Sequence, residues 1–139
     1  MSYVAAASLQ GAIYQRLLSD PDLTSLVGDA IFDAMPVDPP AGTYVSLGPE
    51  EVRDAGDATA RGAQHDFVIS VLSGSDLSAG FAAVKEAAIA VTDALERGDL
   101  DLDRGRLAGL WFLRAKARRV EKAAARRVDL TFRARVDLG

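Results

Sequence analysis

The sequence predicts an α+β fold: a mainly antiparallel sheet of four to five strands, two main helices packed on one face, and a long C-terminal β-hairpin. Three observations support this prediction. Apolar residues recur at helical spacing near the N-terminus and again over residues 81–95. Strand-like segments lie on both sides of the second helix. Finally, residues 106–138 alternate between apolar and polar side chains in two runs separated by a short break.

The hairpin organises the rest of the prediction. In its second run, one parity is apolar: Val128, Leu130, Phe132, Ala134 and Val136. The other parity is polar: Arg127, Asp129, Thr131, Arg133, Arg135 and Asp137. In the first run, one parity comprises Leu107, Gly109, Trp111, Leu113, Ala115 and Ala117. Because both parities of this run begin apolar, we expect its near half to be buried on both sides and its cationic far half to project. The connection over residues 121–125 has no Asn-Gly or Asp-Gly turn, which leaves its register open.

The N-terminal helix is predicted from about Ser2 to Ser19, since Leu9, Ile13 and Leu17 fall on one face. Asp20-Pro21 then supplies a cap residue and a proline suited to the start of a short helix that ends at Gly28.

The second main helix has the clearest periodicity, with Phe81, Val84, Ala88, Val91 and Leu95 spaced by three and four residues. Ser75 or Asp76 is expected to cap its start and Gly98 to end it. Its alanine-rich face would let the helix lie close against a sheet.

Between the two helices, three strands are predicted: 31–34, 43–47 and 63–73. The polar stretch from Gly48 to Gly62 is interpreted as a long connection, of a length that is often functional or mobile.

Composition indicates a single domain over residues 1–139, because 49% apolar and 26% charged residues are ordinary for a globular protein. The chain has no cysteine, which excludes a disulfide framework and fits an intracellular origin. No apolar run approaches the roughly 20 residues of a membrane span, and no basic segment precedes an apolar one as in a signal peptide.

Charge is distributed unevenly along the chain, whose net charge is −4. From residue 104 onward there are 11 Lys and Arg against three acids, whereas residues 1–103 carry five Lys and Arg against 17 acids. Such a bipolar chain could bind nucleic acid, could bind another copy of itself, or could simply be solvated on both sides.

No catalytic, cofactor or metal site is predicted. The one histidine, His65, lies in a strand pattern without a partner histidine or cysteine, and we expect it to be structural. Asp99, Asp101 and Asp103 resemble the start of a calcium loop, but Gly105 is one place late and Leu110 stands where a bidentate Glu is needed. Glycine-rich phosphate loops and a nucleophile turn are absent, so the chain does not read as an enzyme.

Direct reading of nucleic acid is disfavoured, although the C-terminal region has the cations for it: Arg114, Lys116, Arg118, Arg126, Arg127, Arg133 and Arg135. Phe132 belongs to the core parity and cannot serve as a base-stacking platform, while Asp129 and Asp137 interrupt the arginine row. Salt bridges between subunits would use both the arginines and the acidic first part of the chain.

Several segments, in this order, resemble a family of small tail proteins: LQGAIYQRL (9–17), LTSLVG (23–28), IFDAMP (31–36), YVSLG (44–48), QHDFVISV (64–71) and RAR (133–135). The family comprises tail terminators, also called tail-completion or head–tail joining proteins, of long-tailed phages, prophages and gene transfer agents. The resemblance covers most of the chain. It departs from the family in the hairpin turn, where a glycine is common and residues 121–125 have none.

The resemblance implies a virion structural protein: a ring, typically of six copies, at the head-proximal end of the tail tube. This ring would end tube growth and join the tail to the head connector, while DNA passes through without being read. The expected location is the tail of a virion or phage-like particle assembled in the bacterial cytoplasm. Its partners would be other copies, the tube protein and the connector or stopper protein.

Residues expected at subunit or partner interfaces are Arg53, Arg61, Arg126, Arg127, Arg133 and Arg135. We expect the arginine face of the last two strands to meet the acidic surface of the neighbouring copy. The 48–62 stretch or the hairpin tip would contact the tube or the connector. The competing hypothesis is a small binding or regulatory module, without catalysis, that dimerises through a sheet edge.

Overall fold

The computed structural model describes residues 3–76, 80–97, 99–120 and 125–139. In chain order, its elements are α1 (Ala6–Ser19), α2 (Pro21–Val27), β1 (Ile31–Phe32), β2 (Tyr44–Asp54), β3 (Gly62–Leu72), α3 (Gly80–Glu96), β4 (Arg106–Val120) and β5 (Ala125–Asp137). The five strands form one sheet in the order β1-β2-β3-β5-β4. Neighbouring strands are antiparallel except β1 and β2, which are parallel. The predicted α+β class and the long C-terminal hairpin are confirmed.

Helices α1 and α2 form as the sequence predicts, with one change at the start. Leu9, Ile13 and Leu17 are buried on one face of α1. The helix begins at Ala6 and not near Ser2, and its cap residue Ala5 has no side-chain acceptor for the first amide groups. Asp20 caps α2: its Oδ2 accepts a hydrogen bond from the Leu23 amide at 2.9 Å.

Helix α3 packs against the sheet centre along a wide buried stripe that includes Val84, Val91 and Leu95. Alanines fill the rest of this stripe, namely Ala87, Ala88, Ala90 and Ala94. Their small side chains let the helix lie close to β3, β4 and β5, as expected. No helix in the described part of the chain is long and apolar enough to cross a membrane.

Strand β2 is much longer than predicted, and the predicted connection from Gly48 to Gly62 is wrong. After an irregularity at Gly48–Pro49, residues 50–54 pair with β3, so only residues 55–61 connect the two strands. Apolar alternation failed to reveal this half of the strand because most of its side chains are exposed. The connection is a compact turn in which Asp57 Oδ1 accepts hydrogen bonds from the amides of Thr59 and Ala60 at 2.9 and 2.8 Å.

Strand β4 is the edge of the sheet, which corrects the expectation that its near half is buried on both sides. Trp111, Phe112 and Leu113 are 50%, 42% and 39% exposed. The predicted grouping of side chains by parity is also wrong, because irregularities between Leu107 and Gly109 and between Phe112 and Arg114 each shift the register. As a result, the side chains on the helix-covered face are Leu107, Leu110, Phe112, Ala115 and Ala117, and those on the opposite face include Trp111, Arg114, Lys116 and Arg118.

The predicted parity of β5 is confirmed, and Phe132 lies at its centre. Its ring stacks on Phe67 of β3 at a centroid distance of 5.6 Å. It meets Phe112 of β4 edge-on at 5.8 Å. These three rings tie the last three strands together under α3. Gly98 and residues 121–124, where the helix end and most of the hairpin turn were predicted, lie outside the described residues.

We expect Phe132→Ala to lower the free energy of unfolding by about 3–5 kcal/mol, since a buried aromatic ring is lost and a cavity remains. Urea unfolding followed by circular dichroism measures the change. Val37→Ala is the control, because Val37 is 96% exposed and its truncation should stay within about 0.5 kcal/mol. Equal effects of the two substitutions would contradict this packing.

Candidate subunit interface

The sheet face opposite the helices, here called the outer face, carries most of the predicted interface arginines. Arg133 of β5 lies beside Asp66 of β3. Its Nε donates to Asp66 Oδ1 at 2.8 Å and its terminal nitrogen donates to Oδ2 at 3.0 Å. These hydrogen bonds hold the pKa of the Asp66 carboxyl below its usual value and raise the pKa of Arg133. The pair therefore joins the two central strands within one chain.

Arg127 belongs to a second cluster on the same face. Its Nε donates to Asp129 Oδ1 at 2.8 Å, and Ser70 Oγ donates to the same oxygen at 2.6 Å. Burial raises the pKa of the Asp129 carboxyl, but the hydrogen bonds from Ser70 and Arg127 outweigh it and leave that pKa lowered. Arg118 of β4 approaches the other carboxylate oxygen at 3.7 Å. Arg127 is thus engaged inside its own protomer.

The remaining predicted arginines are spread over the molecule. Arg53 forms an exposed ion pair with Glu51 at 3.0 Å. Arg61 and Arg135 lie at the end of the sheet near the C-terminus, where they donate to the backbone oxygens of Leu138 at 3.0 Å and Ala55 at 2.5 Å.

Arg126 lies on the helix-covered side, where its guanidinium stacks over the Phe81 ring at 5.2 Å. Its amide also donates to Ser73 Oγ at 3.0 Å. The strand register therefore places four of the six predicted arginines on the outer face, but Arg126 lies on the opposite side and Arg61 in the 55–61 turn, so the six do not form one surface.

An exposed surface lies along the free edge of the sheet at β4, which we call the β4 edge and define as residues 106–120. Its basic half places the Arg114, Lys116 and Arg118 side chains on the outer face. Its apolar half exposes the rings of Trp111 and Phe112. Sequence periodicity did not predict this surface. The sequence signal for it is that β4 begins with a run that is apolar on both parities, and this pattern fits an exposed edge strand as well as a buried strand.

An apolar groove runs along the helix-covered side of the β4 edge. It has a volume of about 440 Å³ and is lined by Ile89 of α3 and by Phe112, Ala115 and Ala117 of β4. Ile89 is more than half exposed although it lies on a helix that faces the core. Apolar surface thus continues around both sides of the edge strand.

A second open rim lies on the far side of the sheet. Strand β1 pairs with β2 only at Val45 and Ser46. Beyond them, the β2 edge, which we define as residues 48–54, has no further strand beside it in the described part of the chain. Its charged side chains are mostly acidic, with Glu50, Glu51 and Asp54 against Arg53.

Groups that could support chemistry do not converge. His65 is fully buried in β3, and burial lowers its pKa, which favours the neutral imidazole. Asp99 forms an ion pair with Arg16 at 2.5 Å, which ties the segment after α3 to α1. Within residues 3–76, 80–97, 99–120 and 125–139, no group of three His, Asp or Glu side chains could hold a metal ion.

Comparison with known proteins identifies the family. The family model described as "Tail completion protein gp17" matches residues 11–137. The chain belongs to this tail completion protein family. No match was found among the curated proteins searched.

A solved structure supports the same assignment. A chain described as "Virion of native gene transfer agent (GTA) particle" is 63% identical in sequence, covers 98% of this chain and 99% of its own length, and superposes with a TM-score of 0.88. The resemblance inferred from the short segments is thus confirmed. The role of this tail completion protein is structural.

In this tail completion protein, we expect the Arg133–Asp66 pair to stabilise the fold at neutral pH and not in acid. A carboxyl whose pKa is depressed by folding contributes stability above its unfolded pKa, near 4, and that contribution is lost as pH falls through the folded value. Asp66→Asn should therefore be less stable than the unmodified chain at pH 7, and the difference should shrink between pH 5 and pH 2.

Urea midpoints measured across this pH range test the expectation. Asp93→Asn is the matched control, because Asp93 is exposed on α3 and should leave the pH dependence unchanged. A difference between Asp66→Asn and the unmodified chain that stays constant from pH 7 to pH 2 would contradict it.

Proposed function

We propose that the protein is a tail terminator: a ring of six copies that caps the head-proximal end of the tail tube. The observation that carries this proposal is the 63% identity, over nearly the whole length of both chains, to a chain of a gene transfer agent virion. The ring would end tube growth and join the tail to the connector or stopper protein of the head. It would act in the tail of a virion or phage-like particle.

The two open edges favour a ring over a two-fold dimer. The β4 edge is cationic and aromatic, whereas the β2 edge is mostly acidic. Contacts between unlike surfaces repeat head to tail, and they close into a ring when the rotation between copies divides a full turn. A two-fold dimer would instead pair an edge with its own copy, which for the basic half of β4 brings cations together.

The ends of the sheet are the surfaces that we assign to the neighbouring components of the tail. The 55–61 turn and the C-terminus lie together at one end, where the Leu138 amide donates to Arg61 O at 2.9 Å. The end of β4 at Val120 and the start of β5 at Ala125 lie at the other end. In a ring whose strands run along its axis, one end would face the tube protein and the other the connector.

DNA would pass through the ring without being read. The described outer-face arginines Arg127 and Arg133 are engaged by carboxylates of the same chain, which removes them as ready readers of base edges. The cations of the β4 edge lie at the rim of the sheet, where a neighbouring protomer would cover them.

Removing the gene from its particle-producing host tests the role. We expect tails of irregular length that are not joined to heads, visible by electron microscopy, and restoration by the unmodified gene supplied in trans. Joined tails of normal length in the deletion strain would refute the proposal.

Native mass spectrometry of the purified protein at high concentration tests the assembly. We expect a species of six times the 14.7 kDa protomer mass. A dimer as the largest species would instead favour the small binding module that pairs through one sheet edge.

A further inference from the structure

We propose that the β4 edge of one protomer pairs, strand to strand, with the β2 edge of a second copy, so that the sheet continues from each protomer into the next. This inference rests on the proposed ring and names the surfaces that would build it.

Each edge has backbone groups available for such pairing. Strand β4 is hydrogen-bonded to β5 on one side, and on its other side the described residues provide no strand over its 15 residues. The β2 edge is likewise paired on the β3 side only. Natural proteins rarely leave long strands open in this way, since unpaired amides and carbonyls attract other chains.

Strand direction suits the pairing. Strand β3 is antiparallel to β2, β5 is antiparallel to β3, and β4 is antiparallel to β5. Strand β4 therefore runs opposite to β2. Copies arranged around an axis along the strands keep this relation, and the junction becomes antiparallel like most of the sheet.

Charge specifies which edge meets which. Arg114, Lys116 and Arg118 point from β4 to the outer face. On the same face β2 presents Glu51 with its ion-pair partner Arg53, and Glu50 and Asp54 lie on the other face. Pairing the two edges places cations beside a carboxylate, whereas two β4 edges joined through their basic halves would place cations beside cations. The neighbour would also cover the exposed rings of Trp111 and Phe112.

A disulfide test is direct, because the chain has no cysteine of its own. In one protomer, β3 and β5 lie between Glu51 and Lys116, so three strand spacings of about 4.8 Å each separate them by roughly 14 Å across the sheet. They are also offset along the strands, because Glu51 is level with Trp111 and not with Lys116. A disulfide spans at most about 7 Å between Cα atoms, so residues 51 and 116 can be joined only between copies.

The experiment uses the full-length double variant Glu51→Cys/Lys116→Cys, oxidised mildly and separated on a denaturing gel. Because the register is not set in advance, positions 114 and 118 are also combined with 51 or 53. We expect at least one pair to give a ladder of covalent multimers that ends at the ring size, while each single variant stays monomeric. The double variant Glu51→Cys/Glu86→Cys is the matched control, and it should give no ladder because Glu86 lies exposed on α3.

Two outcomes would overturn the inference. Covalent dimers of the Lys116→Cys variant alone would show a two-fold β4–β4 contact. A native mass of six copies without any ladder, in any combination, would show that the ring forms through other surfaces. The second outcome leaves the ring standing, whereas a tail of normal length in the deletion strain removes the ring itself.

A charge exchange gives an independent readout. Lys116→Glu and Glu51→Lys should each raise the protein concentration needed for assembly by about tenfold, and the two together in one chain should restore it. Restoration requires that the two positions face each other between copies. Additive loss in the double variant would count against the pairing.

Discussion

The structure depends on the pairing between β3 and β5, which runs without interruption over 11 residue pairs from Gly62 and Asp137 to Leu72 and Arg127. This pairing puts the last strand of the chain in the middle of the sheet. One side of the paired strands forms the core beneath α3, centred on Phe67 and Phe132. The other side carries the Arg133–Asp66 pair and the Arg127–Asp129–Ser70 cluster. Because β5 occupies the centre, β4 is displaced to the rim.

The two faces of the central strands divide the work of holding the protomer together. On the core side, packing of apolar rings supplies most of the stabilisation. On the outer face, charged side chains form ion pairs and hydrogen bonds within the chain. Ser70 and Thr131 are buried among them. The cations that remain available for a partner lie on β4. Most of the arginines that were predicted to form an interface therefore make contacts within their own protomer.

The sequence predicted best where a side chain is buried on one face only. The sequence pattern correctly placed Val128, Phe132 and Val91 in the core, because a periodicity of 2 or 3.6 residues directly reflects burial on one face. The prediction failed at the two edges of the sheet. The second half of β2 is mostly exposed and shows no apolar alternation, and two irregularities in β4 change which face the following side chains occupy. The partners of arginines such as Arg133 could not be predicted, since Asp66 is brought beside it only by the β3–β5 register. The family could be inferred because short segments keep their order along the chain.

The position of β5 has a consequence for synthesis. Until residues 125–137 have been made, β3 has no neighbour on one side, and α3 lacks its packing against β5. Closing the 54 residues between Leu72 and Arg127 must come before any of these pairs can form, which makes folding depend on contacts distant in sequence. A chain released early therefore lacks the middle of its sheet and not merely an end.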